Sequence, residues 1–463
     1  RSGIGIEELK KEIELTAEQK NNTSAIPEIN TKGYSSRVYN SCCNTSGGET
    51  DNTDRKIDKY IISKTYGIPI MLLILAGVFW ITIVGANYPS AMLSRMFVGL
   101  GEVLKNLLTK INCPELIISA LIDGVYKTLT WIISVMLPPM AIFFPLFTLM
   151  EDSGYLPRIA FNLDSAFQKA NAHGKQSLTM AMGFGCNACG VTGCRIIDSP
   201  RERLIAIITN SLVPCNGRFP TLIAIISMFF LGAFHGMAAS VFEAVLLLLL
   251  IILSVTVTLI ISRLLSETLL KGIASSFVME LPPYRRPQLG KVIVRSIFDR
   301  TLFVLFRAII IAAPAGLFIW ILANITVSDK SILQYCTDFL DPIARVIGLD
   351  GAILMAFILG FPANEIVLPI VLMIYMSNGV LSELPNLDQF HQILTEHGWT
   401  VTTAICTLIF VLFHAPCSTT CLTIYKETKS AKWTLVSFLL PLCIGTILCF
   451  FINSFSSLLF LNN

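Results

Sequence analysis

The sequence predicts an all-α polytopic membrane protein, with about seven transmembrane helices and two re-entrant broken-helix hairpins arranged as inverted repeats. The first observation is composition: the 463 residues are 54% hydrophobic, and the mean hydropathy is +0.68. The second is that long runs such as residues 244–261 carry no charge, which is typical of a helix that spans a bilayer. The third is that two similar apolar regions are both interrupted by glycine or proline.

The charge and cysteine content exclude several other classes of protein. A net charge of +3, with no basic cluster interleaved with aromatic residues, argues against a nucleic-acid partner. Residues 7–20 are charged and lack the apolar core of a signal peptide. Thirteen cysteines in a chain of this size do not indicate a disulfide scaffold. Most of them lie in or beside apolar segments, where they are expected to be buried thiols or metal ligands.

The polar beginning of the chain differs from the rest. We expect residues 1–58 to form a short helix and a flexible cytoplasmic linker, or to be a remnant of an N-terminal domain. Residues 59–463 are expected to form a transmembrane transport domain. Basic residues before the first span place the N-terminus in the cytoplasm of a multi-pass protein of the cell (cytoplasmic) membrane. The amphipathic segment 90–127 is expected to lie at the membrane interface. The predicted spans are 66–86, 128–150, 204–234, 236–265, 302–325, 399–425 and 434–460.

A glycine- and cysteine-rich stretch, residues 183–195, interrupts the apolar pattern with four glycines and three cysteines. Glycine at this density destabilises a helix, and irregular backbone at membrane depth is tolerated only where protein buries it or it lines a polar cavity. One interpretation is a broken helix whose carbonyls, thiols and Asn187 amide face a permeation path. The other is close helix packing through small residues, with the cysteines as apolar fillers.

The two broken regions match each other in sequence. Gly183-Phe184 corresponds to Gly360-Phe361 and Asn187 to Asn364, at one offset of 177 residues (364 − 187). Further along the chain, Pro214-Cys215 corresponds to Pro416-Cys417. We therefore define gate repeat 1 as about residues 128–235 and gate repeat 2 as about 302–425. The predicted topology inverts them, which is typical of transporters whose site lies at the repeat interface; the alternative is common ancestry that now serves packing only.

The residues expected at that interface form a mixed set of ligands. Glu365 is the most informative, since an ionisable group in an apolar segment costs at least ~2.5 kcal/mol and usually marks a cavity or pathway. Thiols, amides and a carboxylate together suit a borderline divalent metal such as ferrous iron, although zinc or copper would bind such thiols more tightly. His414 is either a further ligand or a packing residue. The predicted metal-site residues are Cys186, Asn187, Cys189, Cys215, Asn364, Glu365 and Cys417.

At these residues the sequence resembles the membrane domain of the FeoB ferrous iron transporters, over about residues 55–460. The resemblance implies import of Fe²⁺ as the transported substrate across the cytoplasmic membrane, through two gate regions. It also implies a metal path lined by Cys186, Glu365 and Cys417. The motifs that carry it are Gly185-Cys186-Asn187, Arg195-Ile196-Ile197-Asp198-Ser199-Pro200-Arg201, Pro214-Cys215-Asn216-Gly217-Arg218-Phe219-Pro220, Gly360-Phe361-Pro362-Ala363-Asn364-Glu365 and Phe413-His414-Ala415-Pro416-Cys417.

The chain departs from that family in two respects. The family carries an N-terminal GTPase domain, and this sequence contains no G-x-x-x-x-G-K-[ST] phosphate loop. The chain is therefore expected to be no enzyme itself and to work with a GTPase domain or subunit. In addition, Ala188-Cys189 stands where the family often has Val-Pro, which adds a thiol and affects metal selectivity.

Two other functions fit parts of the same pattern. One is a nucleoside or other small-solute carrier, which predicts polar and aromatic contacts at the repeat interface. The other is a redox-sensing membrane scaffold that uses Cys186, Cys189 and Cys194, which predicts exposed thiols of low pKa. The expected partners are a divalent metal ion, the lipid bilayer and a GTPase, without nucleic acid; a homo-oligomer stays open.

Overall fold

The computed structural model is almost entirely helical. It describes residues 49–63, 65–169, 174–230, 237–271, 284, 288–327, 330–377 and 387–460. Most of the polar N-terminal segment, including the helix expected within residues 7–20, therefore lies outside the described residues. Within the described part, two short antiparallel strands, β1 (Thr326–Val327) and β2 (Lys330–Ser331), pair Thr326 with Ser331.

Six helical segments of the described residues are long and apolar enough to cross a membrane. A bent pair of helices, Ile332–Val346 and Gly351–Leu359, would make a seventh if it counts as one span. The two members of that pair meet at an angle of 110°. The prediction of an all-α polytopic membrane protein is confirmed.

The first long helix continues past the predicted boundary at residue 86, so the segment 90–127 is not a separate element. After α1 (Glu49–Ile61), helix α2 runs without interruption over Gly67–Lys110, through Pro89. It ends only where Asn112 takes a left-handed backbone conformation with φ of 57°, a common way for a helix to stop. The second part of the segment belongs to the next span, where α3 (Glu115–Ser119) continues through π-helical turns into α4 (Lys127–Asp152).

Gate repeat 1 continues from α4 as a series of shorter helices separated at the predicted breaks. The long helix α10 then follows it. The elements are α5 (Tyr155–Lys169), α6 (Gln176–Gly185), α7 (Asn187–Gly193), α8 (Pro200–Asn210), α9 (Phe219–Phe230) and α10 (Met237–Glu267).

Gate repeat 2 has the same order of elements, with one additional helix at residues 387–396. After α11 (Leu289–Arg295), a π-helical segment leads into α12, as one does into α4. The 15 residues of α13 lie 177 positions after the 15 residues of α5, at the offset of the sequence repeat. The elements are α12 (Phe303–Asn324), α13 (Ile332–Val346), α14 (Gly351–Leu359), α15 (Val367–Met376), α16 (Leu387–Glu396), α17 (Val401–Phe413), α18 (Ser418–Thr428) and the final helix α19 (Ala431–Phe460).

The corresponding helices α4 and α12 run in opposite directions. Near one end of the pair, Trp320 Nε1 donates to Ser119 Oγ at 3.2 Å, just before α4. Near the other, Ser296 Oγ donates to Thr148 Oγ1 at 3.0 Å, just before α12. Contacts therefore join the start of each helix to the end of the other, which is the relation that inverted repeats require.

The same glycine–aspartate contact begins the broken part of each repeat. The Gly351 amide donates to Asp341 Oδ1 at 3.1 Å, and a Cβ at Gly351 would collide with the Thr337 carbonyl. In gate repeat 1, a Cβ at Gly174 would collide with Asp164 Oδ1. Both glycines let an aspartate approach the N-terminus of α6 or α14, where the helix dipole favours negative charge.

Candidate functional site

The two broken helices turn at structurally equivalent residues. Cys186, between α6 and α7, has φ of −156° and ψ of 123°. Ala363, 177 residues later, has φ of −155° and ψ of 125° and is followed by a 3₁₀ turn at Asn364–Ile366. One extended residue thus precedes each asparagine, although residues 360–363 separate the helices of gate repeat 2 and Cys186 alone separates those of gate repeat 1.

Each of these tips is tied to the Pro-Cys break of its own repeat. The Asn216 amide donates to the Gly185 carbonyl at 3.4 Å, and the Ser418 amide donates to the Phe361 carbonyl at 2.9 Å. Both carbonyls lie at helix ends, where the helix itself offers no donor. The hydrogen bonds place Cys215 beside the first tip and Cys417 beside the second.

A small cavity of about 30 Å³ lies where the four breaks meet, with room for roughly two water molecules. Six of the seven predicted metal-site residues line it. These are Cys186, Asn187, Cys215, Asn364, Glu365 and Cys417. The rest of the lining comes from both repeats and is Met136, Met140, Gly185, Gly217, Val304, Ala308, Pro362, Ala363, Thr419 and Thr420.

Cys189 and His414 do not line this cavity. Cys189 is hydrogen-bonded to Cys186 and packs, half buried, against the apolar cluster around Phe143 and Phe144. His414 lies behind Asn364, with Nε2 at 3.1 Å from Asn364 Oδ1 and Nδ1 at 2.8 Å from the Val411 carbonyl. His414 is therefore one layer behind the lining.

Glu365 contributes the carboxylate of the cavity lining. It is partly buried, and among the described residues it makes no ion pair with a lysine or arginine. Its carboxylate packs against Gly217, at the Pro-Cys break of the other repeat, where a Cβ would collide with Glu365 Oε1. The contact is thus possible only because residue 217 is a glycine.

We expect Gly217→Ala to displace the Glu365 carboxylate and to lower metal uptake several-fold in proteoliposomes, because the added methyl takes the space of Oε1. The carboxylate lies at the end of a flexible side chain, so the protein should still fold. Gly77→Ala is the matched control, since a Cβ at Gly77 on α2 meets no atom within 4 Å. Equal uptake by the two variants would contradict a role for the Gly217–Glu365 contact.

Sequence reasoning missed several residues of the site. Met136 and Met140 stand four apart on α4, a spacing that places both thioethers on one helix face toward the cavity. Arg218 is fully buried; its guanidinium donates to the Leu412 carbonyl at 2.8 Å and to the His414 carbonyl at 3.0 Å. It therefore holds the C-terminus of α17 in gate repeat 2 against the Pro-Cys break of gate repeat 1. Arg218 belongs to the motif from Pro214 to Pro220, and this position was a sequence signal for a role at the site.

The donors share a cavity without forming a closed site. Within the described part of the chain, no three histidine, cysteine, aspartate or glutamate side chains stand close enough to hold a metal ion together. Thiols, amides and a carboxylate thus line the wall of the cavity. These groups do not form a complete tetrahedral or octahedral coordination shell around a small ion.

Two family models match the chain. The Gate model, described as "Nucleoside recognition", matches residues 133–229 and 305–431. The model for the C terminus of ferrous iron transport protein B matches residues 247–299, which lie between those two segments. Apart from Val304, every residue that lines the cavity falls within the Gate match.

Several curated proteins are similar over most of the chain. An Fe(2+) transporter FeoB of Staphylococcus aureus is 28% identical over 415 residues, which cover 85% of this chain and 58% of that protein. One from Campylobacter jejuni is 27% identical over 84% of the chain and 63% of its own length. A Porphyromonas gingivalis fusion of Fe(2+) transport protein A with FeoB is 26% identical over 88% of the chain and 52% of its own length.

The chain thus spans between half and two thirds of the length of these relatives. No solved structure matches it. The two family models follow one another in the order of the helices described above, and the similarity to curated FeoB proteins extends over both. The chain carries the membrane domain of the FeoB family.

Proposed function

We propose that this chain transports ferrous iron across the cytoplasmic membrane through the cavity between its two gate repeats. The observation that carries the proposal is the convergence of Cys186, Cys215, Cys417 and Glu365 on one cavity. The similar proteins named Fe(2+) transporter FeoB support iron as the substrate. Sulfur and oxygen donors together suit a borderline dication such as Fe²⁺.

The open arrangement of the donors fits transport better than storage. Conduction requires binding that is favourable enough for an ion to enter and weak enough for it to leave. A wall of thiol, amide and carboxylate groups can replace part of the hydration shell of the ion one ligand at a time. A closed cage would instead retain the metal, as structural zinc sites do.

The lining of the cavity favours a metal over the alternative substrates. The described residues that line it include no aromatic side chain, although a nucleoside or sugar would be expected to stack on one. A redox-sensing scaffold would need accessible thiols, yet Cys186 and Cys194 are buried and Cys189 is half buried.

We further propose that a GTPase domain from outside these 463 residues drives or gates the transport, as the resemblance of the motifs implies. Basic residues such as Arg55, Lys56 and Lys59 precede the first long helix, which supports a cytoplasmic N-terminus. GTP, the substrate of such a domain, is present on the cytoplasmic side of the membrane.

Uptake by proteoliposomes tests the proposal. We expect the purified chain to admit Fe²⁺, kept reduced with ascorbate, faster than protein-free vesicles do, and to leave uridine outside. If uptake depends on the GTPase domain, adding that domain with GTP should raise the rate. Uridine uptake without Fe²⁺ uptake under both conditions would overturn the proposal in favour of a nucleoside carrier.

A further inference from the structure

Two buried amide oxygens beside the cavity lack a hydrogen-bond donor. They are Oδ1 of Asn187, which lines the cavity, and Oδ1 of Asn210, at the end of α8. Both residues are almost fully buried, at 3% and 1% exposure. Native proteins pair nearly all such atoms, because a buried oxygen without a donor costs the free energy of its lost hydration. The arrangement therefore calls for a partner.

The position of Asn210 is fixed by its own hydrogen bond. Asn210 Nδ2 donates to the main-chain carbonyl of Asn187 at 3.0 Å. Both unpaired oxygens border Gly183: a Cβ there would lie 2.9 Å from Asn210 Oδ1 and 3.5 Å from Asn187 Oδ1. Two acceptors thus stand on the same face of Gly183 with no donor between them.

A half-turn of the Asn187 amide about its last side-chain bond removes this conflict. The turn exchanges the oxygen and the nitrogen of the amide, a choice that the hydrogen-bond network decides. The exchange would bring Asn187 Nδ2 to the side of Gly183 that Asn210 Oδ1 borders, and Asn187 Oδ1 to the side that lines the cavity. The half-turn of Asn210 is not equivalent, since it would bring its oxygen against the Asn187 carbonyl.

In gate repeat 2, the side-chain amide of Asn364 also faces a group that it cannot pair with, and a half-turn of this amide again restores the pairing. Both ring nitrogens of His414 face acceptors, the Val411 carbonyl at 2.8 Å and Asn364 Oδ1 at 3.1 Å. An imidazole with one ring proton can donate to only one of them, and the shorter contact assigns that proton to Nδ1. A neutral His414 accepts at Nε2, which requires Nδ2 of Asn364 to face it and sends Asn364 Oδ1 toward Cys215 and the cavity.

We propose that Asn210 and His414 are positioning residues that turn the side-chain oxygens of Asn187 and Asn364 into the cavity. The inference rests on the proposed function and deepens it, because it adds two hard oxygen donors to the thiols and the carboxylate. Partners behind metal ligands set the orientation of those ligands and thereby the affinity. Oxygen donors favour harder ions such as Mn²⁺ and Fe²⁺ relative to Cd²⁺.

The test compares His414→Leu with His414→Gln, and Asn210→Leu with Gln176→Leu. Glutamine can accept from Asn364 with its own amide oxygen, whereas leucine cannot. Gln176 is also buried, and its Nε2 donates to Thr209 Oγ1 at 2.9 Å, between α6 and α8 and away from the cavity lining. Gln176→Leu therefore controls for the loss of a buried polar contact in the same repeat.

We expect His414→Leu and Asn210→Leu to raise the half-saturating Mn²⁺ and Fe²⁺ concentrations by about tenfold, as losses behind metal ligands do. Cd²⁺ should be affected much less, and His414→Gln and Gln176→Leu should stay near wild type. An equal loss for all three metals, or no difference between glutamine and leucine at residue 414, would overturn the proposal. If Asn210→Leu does not fold, the comparison of His414→Leu with His414→Gln still tests the proposal.

Direct titration of the purified protein with Mn²⁺ and Cd²⁺ separates this inference from the proposed function. Wild-type protein that binds both ions but does not transport Fe²⁺ would refute transport and leave the positioning test intact. Transport of Fe²⁺ with unchanged preference between Mn²⁺ and Cd²⁺ in both leucine variants would refute positioning alone.

Discussion

Replacing Glu365 by glutamine should lower Fe²⁺ uptake in proteoliposomes by at least about tenfold, a barrier increase of ~1.4 kcal/mol. Glu365 supplies the carboxylate of the cavity lining and has no lysine or arginine ion-pair partner among the described residues. Its negative charge is thus available to a passing dication, which must lose hydration in a cavity with room for few waters. Glutamine keeps the shape and removes the charge, so packing against Gly217 should persist.

Glu427→Gln is the matched control for this experiment. Glu427 lies on α18, the helix that follows Cys417, but it forms a two-pronged ion pair with Arg195, at 2.8 and 2.7 Å, away from the cavity. Arg195 is largely exposed, so the loss of the pair should cost little stability and leave uptake within a factor of about two. Equal effects of the two substitutions would show that the charge of Glu365 has no special role.

Replacing Cys186 or Cys417 by serine should lower Fe²⁺ uptake several-fold and shift metal preference from Cd²⁺ toward Mn²⁺. The two thiols come from different repeats and line one cavity. Serine offers a harder and smaller donor, which binds soft ions weakly. Because both thiols are proposed to contact the same ion, the double substitution should lose less than the product of the single losses. Competition between Cd²⁺ and Mn²⁺ in the uptake assay measures the shift.

Cys406→Ser controls for the loss of a buried thiol outside the cavity. Cys406 is fully buried between α17 and α19, where Cys449 Sγ donates to its carbonyl at 3.2 Å. We expect its substitution to leave metal preference unchanged. Wild-type uptake in both Cys186→Ser and Glu365→Gln would remove the assigned site altogether.

The breaks of the two repeats could be predicted from sequence because they depend on local chemistry. Glycine and proline mark the points where a helix stops, and their recurrence at one offset predicts that Asn187 and Asn364 are equivalent. The structure adds the near-identical backbone angles of Cys186 and Ala363, which local propensity alone does not specify.

The placement of Cys189 shows where sequence reasoning failed. Cys189 was predicted to face the repeat interface together with Cys186, but Cys186 is extended and the helix begins at Asn187. Cys189 is then two residues after Asn187, about 200° around the helix and on the opposite face. The residue at which α7 begins therefore decides which side chains face the cavity, because each residue turns the side-chain direction by about 100°.

The partners of the residues behind the lining could not be predicted, for a different reason. Asn210, Arg218 and His414 act through contacts with segments distant in the chain, such as the hydrogen bond from Arg218 to the Leu412 carbonyl. A polar residue in an apolar segment signals that it needs a partner, but only the packing of the two repeats supplies the partner's identity.

The 44 residues of α2 have a consequence for the bilayer around the protein. At 1.5 Å per residue the helix is about 66 Å long, whereas a hydrocarbon core is about 30 Å thick. Even at a tilt of 40°, some 26 residues would suffice to cross it. The remainder must lie among the lipid headgroups or in water, and its exposed Arg95, Lys105 and Lys110 are suited to anionic lipid phosphates.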